Sequence, residues 1–280
     1  MAGIRVVTDS ACDLSAEEAA AHGIVVVPLS IRFGDAEFVD GRDLTTEEFW
    51  ARCKASDVLP ETAAPSPGAF QAAFEAARAD GHDGVLCLSL SGGVSATFQS
   101  ASAAARAVDG SFDVRVVDTR SMTMGLGLMC IDVADLAATG ADLETLETRA
   151  RDLIGRTQVY GVVDTLEHLE KGGRIGGARA LLGSLLSIKP VVSLVDGEVA
   201  EESKQRTRGR SLRYLADKAL QAPPLSRIGI ADGAAPDIDD FLALLADVRS
   251  EHPIIVTQLG PVVGTHTGPG TIGLCLITAE

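Results

Sequence analysis

The chain has 280 residues, with 24 Lys and Arg against 39 Asp and Glu, a formal net charge of −15. That length can bury a sizeable core, as one large domain or two smaller ones, and two are expected here. The acidic balance excludes a general nucleic-acid or anionic-membrane surface, because long-range repulsion opposes both encounters.

The chain opens with "MAGIRVVTDS", which has one Arg, no signal-peptide apolar region and the strand-like run IRVVT. Ser15 with Glu18 and Thr45 with Glu48 form the capping-box pattern and predict two helix starts. Between and after them, "IVVVPL", "VLCLSL" and "VRVVD" are nearly continuous apolar strands alternating with alanine-rich helical stretches. Such a rhythm predicts a mostly parallel sheet with helices on both faces, and places ligands at the strand C-terminal ends. In "ETAAPSPGAF", Ser66 and Pro67 read as N-cap and first turn of a helix, with Thr62 held in the loop before it.

After "VLCLSL" comes "SGGVSAT", a small-residue loop leading into a helix. A helix N-terminus exposes unpaired N–H donors and about half a positive charge, an anion site. The loop has no Lys, so it is no P-loop; Ser91 and Ser95 offer hydroxyls, and Gly92 and Gly93 let a ligand approach the backbone. A small, singly charged anion attached to something larger is expected there. "GLGLM" at 125–129 lacks the third glycine and the preceding strand of a dinucleotide site.

Beyond residue 157 the pattern becomes α+β: "VVSLVDGEVAEE" reads as a hairpin turning on Asp196 and Gly197, followed by strands "RIGIAD", "IIVTQLG" and "TIGLCLIT" with a helix between the first two. The division is 1–157 and 158–280, and the crevice between the halves is the natural pocket. Between residues 171 and 218, ten basic side chains stand against five acids, net +5 in a chain of −15, so the remainder carries −20. This stretch reads either as a solvated helix face or as a docking face for an acidic or phosphate-bearing partner. His266 lies among glycines in "GTHTGPG"; a lone histidine is ordinarily a hydrogen-bonded structural residue, and these flexible flanks weaken that reading without replacing it, while no other His stands at metal-ligand spacing. The five cysteines form no C-x-x-C pair and read as reduced core thiols, and no apolar stretch reaches membrane-spanning length. A cytoplasmic protein without stable membrane insertion is expected.

In order along nearly the whole chain, "VTDSACDL", "VPLSI", "TAAPSPGAF", "LSLSGGVSATFQSA", "VDT", "LEKGGRI", "IKPVVSL", "DGEV" and "GTHTGPGTIGL" resemble the DegV family of bacterial fatty-acid-binding proteins. The resemblance implies a two-domain α/β protein, its N-terminal sheet mostly parallel and its C-terminal domain α+β. It implies a carrier, not an enzyme, that encloses one long-chain fatty acid of the palmitate, stearate or oleate class. It further implies a monomer that uses no cofactor or metal and presents the acid to a separate fatty acid kinase for acyl-phosphate formation. The family's carboxylate ligands fall on Thr62, Ser95 and His266, supported by the backbone around Gly93 and Ala96; Arg206, in "SKQRTRGR", and Arg174 are the kinase- or phosphate-facing candidates. This sequence has "TAAPSPG" where the family often has "TSQPSPG", and "SGGVSAT" where "SSGLSGT" is common, but Ala96 keeps its N–H.

The chemistry agrees. A fatty carboxylate is ionised at neutral pH and costs several kcal/mol to bury without partners, so convergent donors are required. At ~0.8 kcal/mol per buried methylene, a long tail gains on the order of 10 kcal/mol before ordering costs. The rival reading is a serine esterase: "GVSAT" approaches a nucleophile elbow, and Ser95, then Asp164 or Asp232, then His266 follow the α/β-hydrolase order. Against it, Thr97 replaces the last glycine and Ser95 lies well past the strand end.

Overall fold

The computed structural model describes residues 3–56 and 58–280, with 182–187 as backbone only. The first apolar run forms β1 (Ile4–Asp9), which passes through a 3-10 turn into α1 (Ala16–Ala21) and β2 (Val25–Val27). Both predicted capping boxes are present, Ser15 with Glu18 on α1 and Thr45 with Glu48 on α2 (Thr46–Ala55). A small antiparallel sheet lies alongside: β3 (Ser30–Phe33), β4 (Ala36–Val39) and β5 (Glu61–Ala63), in the order β4-β3-β5. Thr62 is therefore a strand residue paired opposite Ile31, where the sequence suggested a loop. Three residues are too few for strand periodicity to stand out.

Ser66 caps α3 (Pro67–Ala79) through Ala69 N–H, with Pro67 in the first turn as read. There follow β6 (Gly84–Ser89), α4 (Thr97–Ala107), β7 (Asp113–Asp118), α5 (Thr123–Ala138) and α6 (Leu143–Arg156). The sheet β2-β1-β6-β7 is wholly parallel. Successive strand residues point to opposite faces. Val7, Val85 and Cys87 accordingly meet Phe70, Phe74 and Ala101 on one side, while Val6, Leu86 and Leu88 join the core with α5 and α6 on the other.

The second sheet is mixed. It begins with β8 (Thr157–Val162); α7 (Glu167–Lys171) and a 3-10 segment then lead to the hairpin β9 (Lys189–Val195) and β10 (Glu198–Gln205). The turn falls on Asp196 and Gly197, with φ of 51° and 83°, the left-handed pair that lets a two-residue turn follow the strand twist. Next come α8 (Arg208–Leu220), β11 (Leu225–Gly233), α9 (Ile238–Leu244), β12 (Ile255–Gln258), α10 (Pro261–Thr267) and β13 (Thr271–Thr278), giving the order β10-β9-β8-β13-β11-β12. Leu212, Leu215 and Phe241 of α8 and α9 cover one face. The other face packs on α5, which is apolar all round because both sheets enclose it. "GLGLM" is part of that buried helix. His266 also sits in a helix, α10, and not in a flexible glycine segment: Gly260 caps the helix, Pro261 starts it and Gly268, at φ 79°, ends it.

Candidate functional site

Thr62 on β5 and His266 on α10, 204 positions apart, meet with Oγ1 and Nε2 2.9 Å apart. Both line a small, mostly apolar chamber together with Ser95, Arg174, Leu90 and Val262. A second small chamber, walled by β8, β9 and β13, shares Met122, Leu169, Val199 and Val263 with the first. The two adjoin at these side chains, and the polar groups belong to the first. On the outer side of Thr62, Arg174 and His266 is a wide polar cleft that also exposes His168 and Lys171.

The loop before α4 has most of its amides committed. Leu90 N–H goes to Asp9, Ser91 N–H to Ser121 O, Gly92 N–H to Asp118, and Val94 and Ser95 N–H to Ser91 O. Gly93 N–H is taken by Ser91 Oγ, and Thr97 N–H by Ser95 Oγ. No acceptor among the described residues takes Ala96, Phe98 or Gln99 N–H, so three donors remain at the helix start. Two expectations change. Ser91 is not a ligand hydroxyl, because it donates to Gly197 O at 2.7 Å across to the hairpin tip. Gly93 serves close packing instead of ligation: a Cβ there would lie 2.8 Å from Gly197 O.

Burial, then the charge of Arg174 and then His168, pushes the His266 pKa down to about 4, so the ring is neutral. Its Nδ1 is buried without a partner. A buried orphan lone pair costs less than an orphan N–H, which assigns the proton to Nε2, donating to Thr62 Oγ1. The Thr62 hydroxyl proton is then free to point into the chamber. Because the folded pKa lies below the ordinary 6.5, the unfolded chain takes up a proton between about pH 6.5 and 4 that the folded chain refuses. The stability tied to neutral His266 is full above that window and is lost as pH falls through it. Urea midpoints should show wild type losing more stability between neutral and mildly acidic pH than His266→Gln; parallel losses would refute the assignment.

Arg174 turns inward, and its guanidinium donates to Val94 O at 3.1 Å and Gly172 O at 2.7 Å. It is a half-buried clamp on the Ser95 loop as well as a wall of the polar cleft, an inward contact that its reading as a kinase- or phosphate-facing candidate did not include. Within the basic stretch, Lys171 pairs with Glu167, Lys189 and Arg208 with Asp164, and Lys218 with Glu202. Arg206, Arg210 and Arg213 are exposed and form no ion pair among the described residues. Arg206 does not line the chamber.

The esterase triad is not assembled. Ser95 Oγ faces Thr97 Oγ1 at 2.8 Å, Asp164 is held by Lys189 and Arg208, and Asp232 accepts from Ala235 N–H. His266 Nδ1 thus lacks the carboxylate that would orient a general base. Two residues that the sequence reading left without a role support the site from behind. Asp9 accepts from Leu90 N–H, and Asp13 accepts from Gly260 N–H and Thr123 Oγ1–H, fixing the Ser95 loop and the start of α10. Burial raises these carboxyls to about 6 and about 7. The signal was their spacing in "VTDSACDL", Asp9 as the last residue of a buried strand and Asp13 four residues on.

The family model of DegV matches residues 3–279. A DegV domain-containing protein of Streptomyces coelicolor is 35% identical over 277 residues, 97% of each chain. A Thermus thermophilus DegV family protein, described as fatty acid binding, superposes with a TM-score of 0.88 at 32% identity, covering 99% of this chain and 100% of that one. A stearic acid-binding protein of Eubacterium ventriosum gives 0.86 at 25% identity over 98% of each. The end-to-end match in sequence, and the same fold in proteins described as binding fatty acids, establish that the chain belongs to the DegV family.

Proposed function

We propose that the two chambers join as one channel holding one long-chain fatty acid, its carboxylate at the polar end and its tail along the apolar walls. The observation that carries the reading is the junction itself. Thr62, Ser95, His266 and the cation Arg174 line one chamber with otherwise apolar walls, and the α4 start that follows Ser95 keeps the Ala96, Phe98 and Gln99 amides unclaimed. Neutral His266 does not neutralise the carboxylate; it orders the Thr62 hydroxyl. An ionised head group finds donors without a buried lysine, as the helix end requires. Tail burial supplies affinity, and the head group supplies orientation.

In the same reading, residues 1–157 and 158–280 are the two domains and the acid lies between them. A monomeric carrier in the cytoplasm, where its five unpaired thiols stay reduced, presents the carboxylate through the polar cleft to a partner kinase that forms the acyl phosphate. The test is mass spectrometry of an organic extract from protein purified out of cells, expected to give one fatty acid per chain. Extracts repeatedly empty of acid, with no uptake of added palmitate or oleate, would refute it.

A further inference from the structure

We propose that Gly161 sets the length of acyl chain the channel accepts, an inference that rests on the fatty-acid reading above. Gly161 lies inside β8, opposite Gly273 of β13 on one side and Val192 of β9 on the other. A glycine within a central strand costs conformational entropy and gives the sheet no side chain to pack, so it calls for a reason. Elsewhere in this sheet the reason is visible: a Cβ at Gly229 would stand 2.8 Å from Met124 Cβ of α5. Nothing comparable presses on Gly161. Its φ is not in the left-handed region, and a Cβ there would meet only Val192 Cγ2, at an ordinary 3.5 Å.

What a side chain at 161 would do is fill the channel. Residues two apart on a strand share a face, so it would stand beside Val159, on the face that walls the distal chamber with Val192 and Leu194. Gly273 leaves less room, since a Cβ there already lies 3.3 Å from Ala231 Cβ. The bare backbone at 161 thus keeps open the end of the channel remote from Thr62, where the last methylenes of a long tail would rest.

The experiment titrates ligand-free wild type, Gly161→Ala and Gly161→Val with laurate, myristate, palmitate and stearate. Both variants should fold, because valine is at home in strands and alanine adds one methyl group. Gly161→Val should lose about fourfold in affinity for each methylene that no longer fits, so stearate and palmitate weaken while laurate is held as by wild type. Gly161→Ala should shift the preference the same way by a smaller step. If wild type binds these acids and both variants keep its ranking, the inference is overturned and the fatty-acid reading stands. If Gly161→Val does not fold, the ranking by Gly161→Ala decides. A wild type that takes up none of the four acids overturns the reading and the inference together.

Discussion

Thr62→Val will bind palmitate roughly ten- to a hundredfold more weakly than wild type. The substitution keeps the shape of the side chain and removes its hydroxyl. A hydrogen bond to a charged group contributes ~1.5–3 kcal/mol, and that is the contact the carboxylate loses. The ring loses its partner as well: His266 Nε2–H, 2.9 Å from Thr62 Oγ1 in the native fold, would face a methyl group. An unsatisfied buried donor costs ~1–3 kcal/mol, so the ligand-free variant should also melt earlier. Titration calorimetry on delipidated protein measures the first effect and thermal melting the second. Unchanged affinity would place the carboxylate away from Thr62.

Arg174→Met and Arg206→Ala should separate two roles that the sequence grouped together. Arg174 holds Val94 O and lines the head-group chamber, so its loss frees the Ser95 loop and removes the positive charge facing the carboxylate. At ~1.5–3 kcal/mol for a charge-assisted contact, Arg174→Met should lower fatty-acid affinity about tenfold or more. Arg206, exposed and outside the chamber, should leave affinity almost unchanged when replaced by alanine, while slowing acyl-phosphate formation by the proposed partner kinase. Added salt should slow the wild-type reaction too, because exposed charges more than about 10 Å apart are screened at 0.1 M. Equal turnover by wild type and Arg206→Ala would return the basic stretch to a solvated face. Undiminished binding by Arg174→Met would confine that residue to the cleft.

Much of the architecture is local enough to be legible in the sequence. Apolar β-branched runs set strands buried on both faces, and Ser15, Thr45 and Ser66 mark helix starts through bonds made within three residues. Asp196 and Gly197 specify their turn because few other pairs tolerate two left-handed residues in succession. The order of the short motifs carried the family and the choice of Thr62, Ser95 and His266. Tertiary structure decided what those residues do. Thr62 and His266 become partners only when β5 and α10 pack together, and no periodicity encodes a contact across 204 positions. Ser91 and Ser95 look alike in "SGGVSAT", but the hairpin tip engages the first hydroxyl and leaves the second facing the chamber. Arg174 reads as a surface charge until the Val94 carbonyl is placed beside it. The helix-end donors become countable only after every other amide of the loop has found its acceptor. Propensity and capping act over a few residues and survive in the sequence. Donor direction, burial and the emptiness beside Gly161 depend on which distant segments pack against each other, and that is settled by the fold as a whole.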